Sequence, residues 1–550
     1  MGLKFKISVL LFIPLSFFLF SDPIPTTPKI KKKKAEVKIK GGMVSPSLKI
    51  KNGRKVRVNK FIIKGNTVIK TEVLEKIVKK YEGKELTISQ LKEIADLITQ
   101  EYWKRGYITS FAYIPAQKIT GGVIEIGIIE GKVGEIKVEG NKYYTTRFIK
   151  KYFESVKREK VLNNRTLERG LLLLSDLPKE DVRATLTKGK VEGTTDIILD
   201  AAELGFPYNL SIFANNYGSR YTGKVRAGIS LDIGNITKHG DILSLSGVAN
   251  PKSFDDMKYY KVGYTLPVNG YGTKVYVDYS YMDYEVGKEL AILGIEGESE
   301  IFTVGVSHPL IRARDKNLSW SAELSKKDMT NYLFEKTYTT SNDDYATLQL
   351  ALKGDRLRKN SHGYATLKAT FGLKDLFGGM EDSEYTSSSR PGLANGDWVK
   401  INLDLTNLRK IGSCQLITRL GGQWASDNLL TGEQMVLGGP DSVRSHPTGE
   451  FLGDYGYFAS AELRTPFLPG NTFLNKYINW AFFVDHGTVY YNTPLPGEDK
   501  SHTITGIGAG FRVYVPCHYH LRFDVGYPVS GDDPSDGDEI HYWLQAVVNF

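Results

Sequence analysis

Three groups of residues have the types from which chemistry is made. Gly506-Ile507-Gly508-Ala509-Gly510 has the glycine spacing of a nucleotide-binding turn, but such a turn must open a helix, usually with a phosphate-binding lysine after it. Neither follows, so the segment reads as a glycine-rich strand. Asp532, Asp533, Asp536, Asp538 and Glu539 could surround calcium. They do not keep the twelve-residue ligand spacing of a calcium loop, and read as an acidic surface loop. His518 and His520 flank Tyr519 beside Cys517 and share one strand face at period two. No third protein ligand accompanies them, which disfavours zinc and leaves a turn. No Ser-His-Asp set and no carboxylate pair suited to hydrolysis stands out. No catalytic residue, cofactor or metal site is therefore expected.

The elements that must carry any other function follow from composition. The chain has 550 residues, 41% of them hydrophobic, which is enough for several domains. No run of 18 or more apolar residues appears after the N-terminus, which excludes helical membrane spans. A closed barrel escapes that test, because its strands are apolar only at alternate positions. Lys4 and Lys6 precede an apolar run over residues 7–20, and a polar, proline-containing stretch follows. This pattern predicts a secretory signal peptide over residues 1–21, the alternative being an uncleaved anchor. Cys414 and Cys517 are the only cysteines, too few for a disulfide framework. The net charge is +10, with the densest basic run over residues 29–40. In an exported chain that run reads as a solvated tether over 22–55, able to touch anionic lipid, rather than a nucleic-acid site.

Two segments 75 residues apart share a pattern: VNKFIIKGNT over 58–67 and VGEIKVEGNK over 133–142. Each alternates like a strand, ends in Gly-Asn, and is followed by two helical patterns and two further strands. The repeat predicts two small β-α-α-β-β modules. From Tyr208 onward helical periodicity gives way to alternation. Over residues 224–233, Val225, Ala227, Ile229, Leu231 and Ile233 oppose Lys224, Arg226, Ser230 and Asp232. Such strands are half apolar and half wet, which suits a soluble β-sandwich as well as a membrane barrel, and three further features favour the membrane. Their spacing predicts lengths of about nine to eleven residues, enough for a tilted strand to cross a bilayer. Tyr259, Tyr260, Tyr264, Tyr457 and Tyr477 stand near strand ends, as interfacial girdles do. Short connections, as at Asn269-Gly270, alternate with long ones, as over 374–397. Tyr542, Leu544, Ala546, Val548 and Phe550 share a face, so the chain ends inside a strand.

At these residues the chain resembles the TpsB family of two-partner secretion transporters, within the superfamily of outer-membrane assembly factors. The modules look like POTRA domains, at 56–131 and 132–204, and NYGSRYTG over 216–223 looks like the family's first-hairpin signature. The resemblance implies a membrane β-barrel of sixteen antiparallel strands over 205–550. The loop over 425–453 then follows the eleventh strand and lies outside the cell. In it, Val443-Arg444-Ser445-His446 resembles the superfamily's Val-Arg-Gly-aromatic tip of a loop that folds back into the lumen, with Ser445 in place of glycine and His446 in place of the aromatic residue. An arginine inside a barrel needs carboxylate acceptors, and Glu462 and Asp485 stand where the superfamily supplies them. Parity agrees for Asp485: Ile478, Trp480, Phe482 and Val484 form an apolar outer face, which turns Asp485 into the lumen. The implied client is a secreted exoprotein with an N-terminal secretion domain, met by the periplasmic modules. Further implied partners are outer-membrane lipid and the barrel assembly machinery, which would read the C-terminal strand and Phe550; no nucleic acid is implied. Family members often carry an N-terminal plug helix, but residues 22–52 show no helical pattern. The rival readings are an assembly factor that inserts other barrels, which usually has more than two modules, and a passive porin, which needs none.

Overall fold

The computed structural model describes residues 36–39 and 55–550, apart from 179, 204, 255, 381–386, 471, 496 and 517. The signal peptide, most of the tether and most of the stretch weighed as a plug lie outside the described residues. Inside the tether, Glu36–Ile39 (β1) is a strand.

The first module comprises β2 (Lys55–Val58), β3 (Lys60–Lys64), α1 (Thr71–Val78), β4 (Lys84–Thr87), α2 (Ile88–Lys104), β5 (Phe111–Tyr113) and β6 (Val123–Ile129). A capping box starts α2: Thr87 accepts from the Gln90 amide while the Gln90 side chain accepts from the Thr87 amide. Leu91, Ile94, Ile98 and Tyr102 recur at helical spacing and bury against Phe61, Ile124 and Ile126 of the sheet β3-β6-β5. The second module has β7 (Lys132–Glu139), α3 (Thr146–Lys151), α4 (Glu154–Arg158), α5 (Asn164–Leu174), β8 (Glu180–Lys188) and β9 (Thr194–Glu203). Its sheet runs β1-β8-β9-β7, so the tether strand pairs in parallel with the edge strand β8, Val37 opposite Ala184. The repeated Gly-Asn has one job in both copies. Gly65 and Gly140 take positive φ of 93° and 80°, which only glycine adopts freely. Asn66 and Asn141 then donate to the Ile69 and Tyr144 carbonyls, each at three residues' separation.

Sixteen antiparallel strands close the barrel. The first half comprises β10 (Tyr208–Asn215), β11 (Arg226–Gly234), β12 (Ile242–Ala249), β13 (Met257–Pro267), β14 (Lys274–Glu285), β15 (Glu296–Arg312), β16 (Lys316–Leu333) and β17 (Tyr338–Leu357). The second begins with β18 (Ser361–Gly372), β19 (Val399–Ile411) and β20 (Cys414–Ala425). After two short strands in a loop, β21 (Met435–Leu437) and β22 (Phe451–Gly453), it continues with β23 (Tyr455–Pro466), β24 (Ile478–Tyr490), β25 (Ser501–Val515), β26 (Tyr519–Gly531) and β27 (His541–Asn549). Closure is by β10 on β27, from Ser211 opposite Asn549 to Asn215 opposite Gln545. The Asn216 side chain lengthens this short seam, accepting from the Leu544 amide at 2.7 Å and donating to the Tyr542 carbonyl at 2.7 Å.

Two expectations need correction. Strands β15, β16 and β17 have 17, 18 and 20 residues, well beyond a bilayer's need. Register shows why: on the outer face Phe302 and Val304 give way to Glu300 and Glu298, and Leu324 to Lys326 and Asp328. Past that point the strands continue as a sheet whose outer face is polar. Tyr259 is no girdle residue. Period two separates it from the outward Tyr260, and it is buried in the lumen with Phe213, Met257, Met282 and Tyr284.

The second module docks on turns at the end of the barrel where the chain enters it. Arg312 grips Asp176 with two hydrogen bonds of 2.7 Å, the bidentate geometry that favours arginine. Arg169 donates to the Pro309 and Tyr271 carbonyls, and Arg314 pairs with Glu168.

Candidate functional site: a loop clamped inside the barrel

The connection over residues 426–454 folds back into the lumen, where Val443, Arg444, Ser445 and His446 are all buried. Its two arms pair as β21 and β22, and at its end Gly438 and Gly439 take φ near 100°. The tip is consequently tight: the Gly439 amide donates to the Val443 and His446 carbonyls. Val443 is buried among Met435, Leu437, Val489 and Ile504, which seats the tip against the wall.

Period two turns Ser460, Glu462 and Arg464 of β23, Phe483 and Asp485 of β24, Arg512 of β25, and Arg522 and Asp524 of β26 toward that tip. Arg444 donates to Asp485 through Nε at 2.7 Å and Nη2 at 2.9 Å, and to Glu462 through Nη1 at 2.7 Å. Its backbone amide adds a bond to Asp485 at 3.2 Å, and Nη2 one to Ser460 at 3.3 Å. Asp524 lies 3.6 Å from Nη1. The guanidinium carbon sits 3.4 Å from the centre of the Phe483 ring, whose face favours a cation. Arg444 is 3% exposed, and Asp485 and Asp524 are fully buried.

The wall carries more of this network than the three residues singled out in the sequence. Arg512 bridges Glu462 at 2.8 Å and Asp524 at 2.7 Å. Arg464 holds the other Glu462 oxygen at 2.7 Å. Arg522 binds Asp524 at 2.7 Å and donates to the tip's Pro440 carbonyl at 2.6 Å. Four arginines thus share three carboxylates, so the arrangement holds only while all are in place. The signal that could have found Arg512, Arg522 and Asp524 was the same parity used for Asp485, read on two further strands.

Ser445 and His446 occupy the tip's other side. The Ser445 hydroxyl lies 2.9 Å from His446 Nδ1, and His446 Nε2 faces the Asp532 carbonyl at 3.0 Å. Burial pushes the His446 imidazole below its usual range, outweighing that carbonyl. The bulk of Ser445 is met by glycine in the wall. A Cβ on Gly506 would come 2.0 Å from Ser445 Oγ, and one on Gly526 would come 2.3 Å from the Arg444 carbonyl oxygen. The glycine run that mimics a nucleotide loop is in this part a seat for the tip. On β27, Trp543 Nε1 donates to that same Arg444 carbonyl at 2.7 Å. Further up the loop, Glu450 accepts from the Ser535 amide at 2.7 Å and hydroxyl at 2.9 Å. Burial raises its carboxyl to about 7, against the pull of Ser535 and with help from Asp536 and Asp532. Phe550 lies away from the site, its amide bonded to the Leu210 carbonyl at the closing seam.

A sealed barrel with an apolar outer belt, an arginine-held loop in its lumen and two α+β modules at one end defines a secretion pore of the outer membrane. The chain belongs to the haemolysin secretion/activation protein family ShlB/FhaC/HecB, whose family model matches residues 193–513, and a POTRA domain of ShlB type matches 56–131. Among curated relatives, the heme/hemopexin transporter protein HuxB of Haemophilus influenzae is 24% identical over 500 residues, covering 88% of this chain and 86% of its own. The outer membrane transporter CdiB of Escherichia coli is 26% identical over 501 residues, covering 89% and 82%. Solved structures agree in fold. CdiB from Escherichia coli superposes with a TM-score of 0.74 at 24% identity over 92% of this chain and 93% of its own. CdiB from Acinetobacter baumannii does so with 0.65 at 18% identity, over 100% and 96%. The protein is a two-partner secretion transporter: an outer-membrane pore that recognises and translocates a large secreted partner, with its POTRA domains in the periplasm.

Proposed function

We propose that the Arg444 cluster is the lock that holds the lumen loop across the pore, and that export proceeds by its release and rearrangement. The observation that carries this reading is the saturation of one loop arginine by carboxylates of two strands, Glu462 and Asp485, with Asp524 of a third close by. A cation so buried is costly to move unless its partners are replaced. The client, a secreted exoprotein with an N-terminal secretion domain, is taken up by the modules as an extended segment against a sheet edge or groove. It then threads the lumen. Residues 56–131 and 132–204 act as the two POTRA modules, 205–550 as the pore, 1–21 as a signal peptide and 22–55 as a tether. The outward apolar belt contacts outer-membrane lipid, and the strand ending at Phe550 is read by the barrel assembly machinery. No covalent step is part of the cycle, and the energy comes from client folding outside or from binding gradients.

The test is Arg444→Ala in cells. The barrel stays inserted and heat-modifiable on a gel, while export of the client falls on the order of tenfold. Undiminished export with normal insertion would retire the lock.

A further inference from the structure

The lumen loop is held a second time, at its descending arm. The short 3-10 turn Thr431–Glu433 brings Glu433 against a different sector of the wall, where it is 3% exposed. Lys327 of β16 and Lys400 of β19 both pair with its carboxylate. Tyr345 of β17 donates its hydroxyl to the same group at 2.8 Å. Lys400 also reaches the Glu433 carbonyl at 3.0 Å, and Gln423 of β20 donates to that carbonyl at 3.2 Å. A Cβ on Gly432 would come 2.7 Å from the Met329 sulfur, so glycine there permits the close approach. Four strands thus converge on one loop residue, and β16, β17 and β19 supply no group to the Arg444 cluster, while β20 also sends Arg419 to the tip's Asp441 carbonyl at 2.7 Å.

We infer that Glu433 is a second, independent lock of the lumen loop, of opposite polarity to the first: the loop supplies the anion and the wall the cations. A peg that only filled space would have no use for two ammonium groups on one carboxylate. The charge count makes the role testable. Removing Lys400 leaves a neutral pair, Glu433 with Lys327. Removing the Glu433 charge leaves two partly buried ammonium groups, their side chains 18% and 12% exposed, with no counter-ion between them, which expels the arm. Near Tyr345 and Glu433 stand Asp343, and near Lys400 stands Lys368, which add to the field but are common to all variants. The two locks together fix both ends of the loop's inner segment, so opening needs both to yield.

This inference rests on reading the Arg444 cluster as a lock, and the experiment separates the two. Purified full-length protein is recorded in planar lipid bilayers as wild type, Arg444→Ala, Lys400→Gln and Glu433→Gln. Expected is a rise in open probability on the order of tenfold for Glu433→Gln and a smaller rise for Lys400→Gln. Wild-type behaviour of Glu433→Gln beside a raised Arg444→Ala overturns the second lock and leaves the first. Wild-type behaviour of both overturns both. Equal effects of Glu433→Gln and Lys400→Gln also overturn it, because a packing role does not count charges. If Glu433→Gln yields no heat-modifiable barrel, the doubly substituted Lys327→Gln/Lys400→Gln protein, which strands the carboxylate instead, must show the same rise or the inference fails.

Discussion

Gly526 is a residue whose whole contribution is what it lacks. Its missing side chain lets the Arg444 carbonyl come down onto β26 and meet the Trp543 indole. Gly526→Ala would put a methyl group 2.3 Å from that oxygen, in a strand that cannot yield without breaking its ladder. The expected outcome is a folded barrel with a displaced tip, read as faster proteolysis within residues 438–450 than in wild type. Asp485→Asn makes a different change, since it keeps the shape and removes one charge from a set of four cations and three anions. Removing one partner from a buried ion pair costs about 3–5 kcal/mol. Asp485→Asn should therefore loosen the tip as much as Arg444→Ala does. Equal protease protection of Asp485→Asn and wild type would contradict this.

Between elements, Glu450 is the contact that pH can move. It joins the ascending arm of the lumen loop to the turn between β26 and β27 through Ser535. Its carboxyl is raised to about 7, chiefly by burial. A carboxyl whose docked pKa lies above its free value contributes its stabilisation fully below the free pKa, near the ordinary carboxylate range, and loses it as pH rises through the docked one. The arm should accordingly be bound more tightly at about pH 5 than at about pH 8. Protease protection of residues 532–540 measured across that window should fall with rising pH in wild type and stay level in Glu450→Gln. A fall of the same size in both proteins would rule out Glu450 as its source.

For the molecule as a whole, the docking of the second module on the barrel turns decides where a captured client is presented. Arg312 and Asp176 form its best-made contact, with Arg169 and Arg314 beside them. Arg312→Asp should loosen the module and lower export. Adding Asp176→Arg should recover part of both, because the swap restores the pair. A disulfide engineered between the module and the turn over 312–316 would report the loosening directly. Failure of the swap to recover anything would place the docking energy elsewhere. At the level of the cell, deletion of this protein should remove one large secreted protein and leave other outer-membrane barrels in place. Loss of many barrels would favour the assembly-factor reading.

The amino-acid sequence alone determined whatever depends on local periodicity. Alternation at period two marks barrel strands because each residue's face is set by its neighbours, and the paired Gly-Asn turns mark the modules because Gly65 and Gly140 need positive φ. Arg444, Glu462 and Asp485 could be singled out because a motif and parity survive in the chain as written. Tertiary structure alone decided which lumen charges meet. Glu433 stands 106 residues from Lys327 and 33 from Lys400, and Arg512 stands 50 from Glu462. No short-range pattern encodes such pairings, since they depend on the shear and closure of the barrel. The tether strand β1 was equally illegible: four residues on the edge of a sheet gain their conformation from β8 and not from their own sequence.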